Sequence, residues 1–271
     1  MNIVYLVLVA LAGLLVGGLI NLLADDLPYT NQVRRAHYPD DFVRPPLAWL
    51  GLAAFLTGKR SSPEGAKLAW RHPLTEIVTA MLFVYIATIY SFTGHALFWM
   101  GNIAILVLIT VIDLEHRLIL FVVIIPACIY VLIGDVVFGT QISDKISFTD
   151  YLIGGLMGFL IFFVIYGGGI LFSRIMARIR GEKLEEVAFG YGDVMLATLS
   201  GFMLGWQALI FAIFIAVFAG FVGSLIYLVA RLVVKGKYEL FTALPYGQYI
   251  VFGTIVMMLW RTPVINYLQG N

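Results

Sequence analysis

The chain has 271 residues, of which 61% are hydrophobic and 12% are charged, and its formal net charge is +1. Soluble globular domains contain about 45–50% apolar and about 25% charged residues, so this composition excludes an ordinary soluble domain. The single cysteine, Cys128, excludes a disulfide framework and a cysteine-ligated zinc site built from this chain alone.

Apolar runs of about 20 residues recur along the chain and predict an all-α polytopic membrane protein. We predict about eight transmembrane helices, at residues 3–24, 74–92, 96–113, 118–138, 151–172, 194–205, 208–232 and 244–260. The sixth is only about 18 Å long at the rise of an α-helix, which favours a half-span that begins inside the protein. Glycines in the fifth and seventh runs, among them Gly154 and Gly223, predict close helix packing.

Basic residues are distributed unevenly between the two sides of these spans. Of the 17 Lys and Arg residues, 15 fall on the side of the membrane that the chain reaches after the first span. The two exceptions are Lys145 and Arg261. The positive-inside rule therefore predicts a multi-pass protein of the cytoplasmic (inner) membrane with an external N-terminus.

The same count divides the chain into three parts. These are a first transmembrane helix (1–24), a small cysteine-free cytoplasmic loop domain (25–73) and a membrane domain (74–271). The loop contains one apolar run, at 45–56, which is too short to span a bilayer and is expected at the interface or in a re-entrant position.

Three carboxylates, Glu76, Asp113 and Asp193, lie where predicted spans meet the cytoplasmic side. A carboxylate at this boundary is costly unless it is paired or solvated, so each is a functional candidate. Each also has a structural interpretation: Asp193 and Glu76 as helix-capping residues, and Asp113 as a helix-end acid paired with a base. Asp135, at the outer end of the fourth span, is expected to be solvated.

Gly190 and Gly192 immediately precede Asp193. A helix cap does not need two glycines, whereas a tight, strained loop that lets its backbone approach a substrate does. We therefore predict such a loop at these two positions.

The helix count places Asp113 and Asp193 at the cytoplasmic ends of the third and sixth spans. Two carboxylates brought close together share a proton, so one can act as a base and the other as an acid. Such a pair activates a water and protonates a departing amine, which is aspartyl-protease chemistry. The sequence makes this a candidate chemistry without establishing that the two helices are neighbours.

Other chemistries have little support in the sequence. The four histidines are scattered, no glycine-rich nucleotide loop follows a strand, and the serines lack a G-x-S-x-G setting. No basic and aromatic surface indicates nucleic acid.

Five segments carry a family resemblance, and they occur in order along the chain. They are VGGLINLLADDLP near residue 20, RHPLTEIVTAMLF from Arg71, IDLEHRLIL around Asp113, GYGDVMLATLSGFMLGW from Gly190 and LPYGQYIVFG from Leu244. This set resembles the GxGD intramembrane aspartyl proteases. It is most similar to the prepilin peptidases, which cleave leader peptides from type IV prepilin-like precursors.

The resemblance implies that Asp113 and Asp193 are catalytic and that Gly190, Gly192 and Glu76 form substrate-binding or active-site loop positions. It makes residues 74–271 the peptidase membrane domain. It implies type IV prepilin or pseudopilin precursors as partners, each with a basic leader and a hydrophobic helix, together with membrane lipid. The peptidase reaction needs no cofactor, whereas S-adenosylmethionine is implied if a second family activity, N-methylation of the new N-terminus, is retained.

The chain also departs from the family pattern. Family members often carry paired cysteines in the cytoplasmic domain, but residues 25–73 contain none, so no zinc is expected there. Met195, Asp26 and Gln248 replace a lysine, an arginine and a proline of the pattern. Two other functions stay open: an archaeal-type preflagellin peptidase, which usually lacks a large first loop, and a transporter or assembly subunit that uses the same aspartates.

Overall fold

A computed structural model describes residues 3–30, 32–90, 93–142, 147–180, 190–235 and 246–261. Most of these residues lie in eight α-helices. They are α1 (Ile3–Asp26), α2 (Gly51–Leu56), α3 (Arg71–Tyr90), α4 (Gly94–His116), α5 (Phe121–Ile142), α6 (Phe148–Arg180), α7 (Tyr191–Lys235) and α8 (Gly247–Leu259). A short 3-10 helix, Pro46–Ala48, precedes α2.

The chain folds into two compact units, residues 1–118 and 119–271. In the described ranges, six helices are long and apolar enough to cross a membrane, and α8 is a shorter apolar helix of 13 residues. The prediction of an all-α polytopic membrane protein is therefore confirmed. The division into ranges 1–24, 25–73 and 74–271 stays a prediction.

In the first unit, glycines bring α1 close to α3. A Cβ atom added at Gly13 would lie 2.5 Å from Ala80 Cα, and one added at Gly17 would lie 2.5 Å from Glu76 Cα. Small residues four apart on one helix allow two backbones to approach this closely. The contact brings the end of α1 beside the start of α3.

The loop between α1 and α3 has a small core of its own. Tyr38, Ala48, Ala54 and Leu68 pack together, and the Tyr38 hydroxyl donates to the Lys59 carbonyl at 2.7 Å. Two of these residues belong to the apolar run 45–56, which otherwise exposes Leu47, Trp49 and Leu56. The run thus supports the loop on one face and presents apolar side chains on the other, as expected of a segment at the membrane interface.

In the second unit, α7 consists of two arms that double back on each other. The hydroxyls of Thr254 and Ser200 lie 2.8 Å apart, and a Cβ atom on Gly253, the residue before Thr254, would overlap the Ala212 carbonyl. In a straight helix Ser200 and Ala212 would be about 18 Å apart, so the chain reverses between them.

The reversal occurs at Gly205, where φ is 74° and ψ is 164°. This region of backbone space is open essentially only to glycine. The arms 191–204 and 206–235 correspond to the predicted sixth and seventh spans, and the first arm is short, as predicted.

Glycines also bring α6 close to the first arm of α7, which confirms the packing predicted for Gly154. A Cβ atom on Gly201 would overlap the Gly154 carbonyl, and the reverse also holds. α6 continues to Arg180, beyond its predicted end at residue 172. Polar residues can extend a helix past the membrane, so the apolar run underestimates its length.

The expectation that Asp135 is solvated was wrong. Asp135 is only 3% exposed and continues a buried stripe of α5 formed by Ile124, Ala127 and Val131. These positions recur at the spacing of one helix face, so Asp135 faces the interior of the unit. Neither of its carboxylate oxygens has a hydrogen-bond partner in the part of the chain that the structure describes.

Candidate active site

The first predicted catalytic residue, Asp113, lies in the last turn of α4 and is 6% exposed. The helix ends three residues later because Arg117 adopts the left-handed conformation, with φ of 53°. The Arg117 N–H donates to the Asp113 carbonyl at 2.9 Å, which closes the final turn. Asp113 therefore sits where a buried apolar helix meets a polar end.

Arg71, the first residue of α3, bridges the ends of two other helices next to this turn. Its guanidinium forms ion pairs with Asp25 near the end of α1 and with Glu115 in the last turn of α4. It also donates to Asn21 Oδ1 at 3.3 Å. Because a planar guanidinium binds several acceptors in fixed directions, Arg71 holds α1, α3 and α4 in register two residues from Asp113.

A second arginine completes the network around Asp25. The Arg44 guanidinium, from the loop, lies 3.1 Å from Asp25 and 3.2 Å from His72 Nε2. Burial lowers the pKa of Arg44, and the charge of Asp25 opposes this shift. An arginine keeps its charge under these conditions, so Asp25 is compensated by two cations.

Glu76 is fully buried in α3 and caps another helix rather than its own. Its Oε1 accepts the Gly51 N–H at 2.5 Å, and its Oε2 accepts the Leu52 N–H at 2.8 Å. These amides open α2, where a carboxylate is favoured by the unpaired N–H groups and the helix dipole. The capping role weighed for Glu76 therefore exists, but between elements distant in sequence.

A polar cavity of about 420 Å³ opens beside this network in the first unit. It is lined by acidic, basic and aromatic side chains, including Asp25, Tyr29, Asp41, Lys67, Glu115 and His116. The volume falls within the roughly 300–1,000 Å³ typical of small-molecule sites. Since Glu115 and His116 lie in the last turn of α4 together with Asp113, the cavity adjoins the end of α4 that bears Asp113.

The second predicted catalytic residue, Asp193, is the third residue of α7. Its Oδ2 accepts the Gly190 N–H at 3.2 Å, while its own N–H donates to the Gly190 carbonyl at 3.1 Å. The side chain thus caps the helix from inside the first turn, in the manner of a capping box. This bond occupies one carboxylate oxygen and orients the group at the start of the helix.

Gly190 and Gly192 do not adopt the left-handed conformation that a strained loop would use, while their place in a substrate-binding or active-site loop stays a prediction. Left-handed glycines in the described ranges lie elsewhere, at positions 58, 65 and 205. Gly192 is instead required for space, because a Cβ atom there would lie 2.8 Å from Ile119 Cβ. Gly190 is exposed, and the nearest atom to its added Cβ would be Asp193 Oδ2 at 3.8 Å.

The structure gathers the predicted residues into two groups. Asp113 and Glu76 belong to the first unit, and Gly190, Gly192 and Asp193 form one turn of the second. The pairing of Asp113 with Asp193 stays a prediction. Sequence reasoning did not assign roles to Arg71, Asp25 and Arg44, although ionisable residues at helix ends were a usable signal.

Comparison with known proteins finds a family model that matches part of the sequence. The family described as the type IV leader peptidase family matches residues 100–225, a stretch that contains both Asp113 and Asp193. Over this stretch the chain is similar to the type IV leader peptidase family. Relatives from Pseudomonas aeruginosa, Aeromonas hydrophila and Legionella pneumophila are named prepilin leader peptidase/N-methyltransferase.

Two relatives illustrate how much of the sequence is shared. The protein of Pseudomonas aeruginosa is 29% identical over 220 residues, covering 79% of this chain and 67% of the relative. The protein of Aeromonas hydrophila is 26% identical over 255 residues, covering 91% and 79%. No solved structure is significantly similar to the chain.

The two glycines before Asp193 offer a matched pair of substitutions. Gly192→Ala should destabilise the protein by about 1–3 kcal/mol, because the new methyl group overpacks the contact with Ile119. Gly190→Ala should have a smaller effect, because the nearest atom of the described residues to the added Cβ is 3.8 Å away. Thermal unfolding of the two variants in detergent compares them, and equal destabilisation would contradict the packing role of Gly192.

Proposed function

We propose that the chain is a membrane-embedded aspartyl endopeptidase that removes the leader from type IV prepilin-like precursors. Asp113 and Asp193 are the catalytic pair in this proposal, and the precursor's leader and hydrophobic helix are the substrate. The observation that carries it is the family match, because the matched stretch contains two aspartates that each occupy a terminal turn of a membrane helix.

The helix count supports placing both aspartates on one side of the membrane. α5 and α6 lie between them in sequence, so a chain that leaves the membrane after α4 returns to the same side before α7. A leader that projects from the cytoplasmic face would meet the pair there.

The proposed reaction uses the pair as base and acid in turn. The ionised aspartate takes a proton from a water molecule as the water oxygen bonds to the scissile carbonyl carbon. The protonated aspartate gives its proton to the carbonyl oxygen. Collapse of the resulting diol breaks the C–N bond as a proton passes to the departing amine. Capping by Gly190 would keep Asp193 oriented while it changes its protonation state.

Co-expression with candidate prepilins tests this function. Sequencing of the product N-terminus should show a cut between the basic leader and the hydrophobic helix. Intact precursor in the presence of folded protein, together with proton or cation flux in liposomes, would favour the transporter alternative. Cleavage of archaeal preflagellins alone would favour the preflagellin peptidase alternative.

We also propose an inner-membrane location with an external N-terminus. After Cys128→Ala, membrane-impermeant thiol reagents should label Lys59→Cys from the cytoplasmic side and Gln207→Cys from the opposite side. Lys59 lies in the first loop, and Gln207 follows the reversal at Gly205; both are exposed. Labelling of both positions from one side would contradict the arrangement of spans.

We propose N-methylation of the new N-terminus as a second activity, with the polar cavity of the first unit as the methyl-donor site. The relatives' names include this activity, and the cavity adjoins the helix end that bears Asp113. When bound, S-adenosylmethionine supplies a methyl group to the amine lone pair, while the C–S electron pair stays on sulfur and leaves S-adenosylhomocysteine.

The cavity has the chemistry that such a donor requires. Lys67 takes no part in the ion pairs of the described residues, so its ammonium is available for the donor's carboxylate. Tyr29 is 73% exposed and contacts His116 edge to face, which leaves a ring surface for an adenine. Asp41 and Glu115 each pair with an arginine through one carboxylate oxygen, and the other oxygen can accept from the positive groups.

Calorimetric titration with S-adenosylhomocysteine tests the site without relying on turnover. Tyr29→Ala should weaken binding by at least about tenfold, the value of one good contact near 1.4 kcal/mol. Trp49→Ala, which removes an exposed aromatic of the same loop outside the cavity, should not. Absence of binding, with cleavage intact, would leave a peptidase that lacks the second activity.

A further inference from the structure

A second, smaller cleft lies between α1 and the loop. It has a volume of about 290 Å³ and is lined by Leu15, Leu19 and Leu22 of α1 and by Arg35, Trp49 and Leu50 of the loop. Leu15 and Leu19 are more than half exposed. The cleft therefore runs from the apolar surface of a membrane helix to a cation and an indole of the loop.

The walls of this cleft are fixed by the surrounding structure. Leu50 packs onto α1 at Gly18, where an added Cβ atom would lie 2.5 Å from the Leu50 side chain. The next residue, Gly51, donates its N–H to Glu76, which ties this wall to α3. The wall that contains Arg35 is fixed at the next residue, Ala36. The Ala36 carbonyl accepts a hydrogen bond from the Arg44 N–H at 2.8 Å.

The polar end of the cleft is basic and lacks a counter-charge. Arg35 takes no part in the ion pairs found among the described residues, and no carboxylate lines the cleft. Trp49 is 58% exposed, as expected of an indole at the level of lipid headgroups. An arginine beside a tryptophan at this depth suits a phosphodiester.

We propose that this cleft binds one anionic phospholipid, with an acyl chain along Leu15, Leu19 and Leu22 and the phosphodiester at Arg35. A zwitterionic lipid binds less well, because its ammonium finds no carboxylate in the lining. A protein helix does not fit, since one turn about 10 Å wide and 5.4 Å long already occupies roughly 400 Å³.

Native mass spectrometry of the full chain tests the proposal. Protein released from detergent with added phosphatidylglycerol should retain one tightly bound lipid molecule. With phosphatidylcholine added instead, the retained lipid should be at least fivefold less. Arg35→Gln should reduce the phosphatidylglycerol adduct at least fivefold, whereas Lys59→Gln, which removes another exposed cation of the loop, should not. Equal retention of the two lipids, or equal effects of the two variants, overturns the proposal.

A second measurement identifies the occupant in the native membrane. Photo-leucine replacing Leu19 should crosslink to phospholipid. Crosslinking mainly to another protein chain, whether a second copy or a precursor, overturns the lipid assignment.

Discussion

Replacement of Asp193 by asparagine is expected to reduce prepilin cleavage by about 10³–10⁴-fold, as for loss of a general acid or base. The asparagine amide oxygen can still accept the Gly190 N–H, so the start of α7 should survive. What is lost is the ability to hold a charge and exchange a proton. Cleavage of a purified precursor by detergent-solubilised variants measures the effect.

Asp113→Asn should have a similar effect, and the double variant should be little worse than either single one, because residues that act as a unit are not additive. Asp135→Asn is the matched control: it removes another buried carboxylate from a membrane helix but leaves the proposed pair intact. Robust cleavage by folded Asp193→Asn protein would leave that aspartate as a helix cap alone.

Loss of Arg71 is expected to have the next largest effect. Arg71→Met removes the bridge between Asp25 and Glu115, and we expect a loss of roughly 3 kcal/mol in stability, at the lower end of values for breaking a buried ion pair. We also expect kcat to fall at least tenfold with little change in KM, because the end of α4 that bears Asp113 loses its support.

Conservative and distant substitutions separate this role from a general loss of charge. Arg71→Lys should recover only part of the activity, because a lysine ammonium cannot bind both carboxylates in the same plane. Lys59→Met, in the loop between α1 and α3, should change neither stability nor kcat. Unchanged kcat in stable Arg71→Met protein would contradict the positioning role.

Long apolar runs made the membrane helices predictable, because a span needs about 20 apolar residues. The break at Gly205 was also placed correctly, where two runs meet at a short polar stretch. The end of α6 was placed too early, because the helix continues to Arg180 beyond the apolar run. Backbone hydrogen bonds sustain a helix there without a continuous apolar run. Asp135 was misplaced because its position along the span was considered without its position around the helix.

Within the candidate site, the aspartates were predictable from charge in an apolar setting, but their supports were not. The partners of Glu76 are backbone amides 24 and 25 residues earlier in sequence, and no local pattern announces such a contact. The role of Arg71 likewise depends on three helix ends that meet only after folding. For Gly192, sequence could suggest a need for glycine but not whether conformation or space required it.

The buried carboxylate of Glu76 has a consequence for biosynthesis. The ribosome makes the amides that open α2 before it makes the residue that accepts them, and Gly51 precedes Glu76 by 25 positions. Until α3 lies beside α1, those amides lack the Glu76 carboxylate, and Leu50 lacks the tie to α3 that Gly51 provides. The loop between α1 and α3 can therefore complete its hydrogen bonding only after α3 has been made.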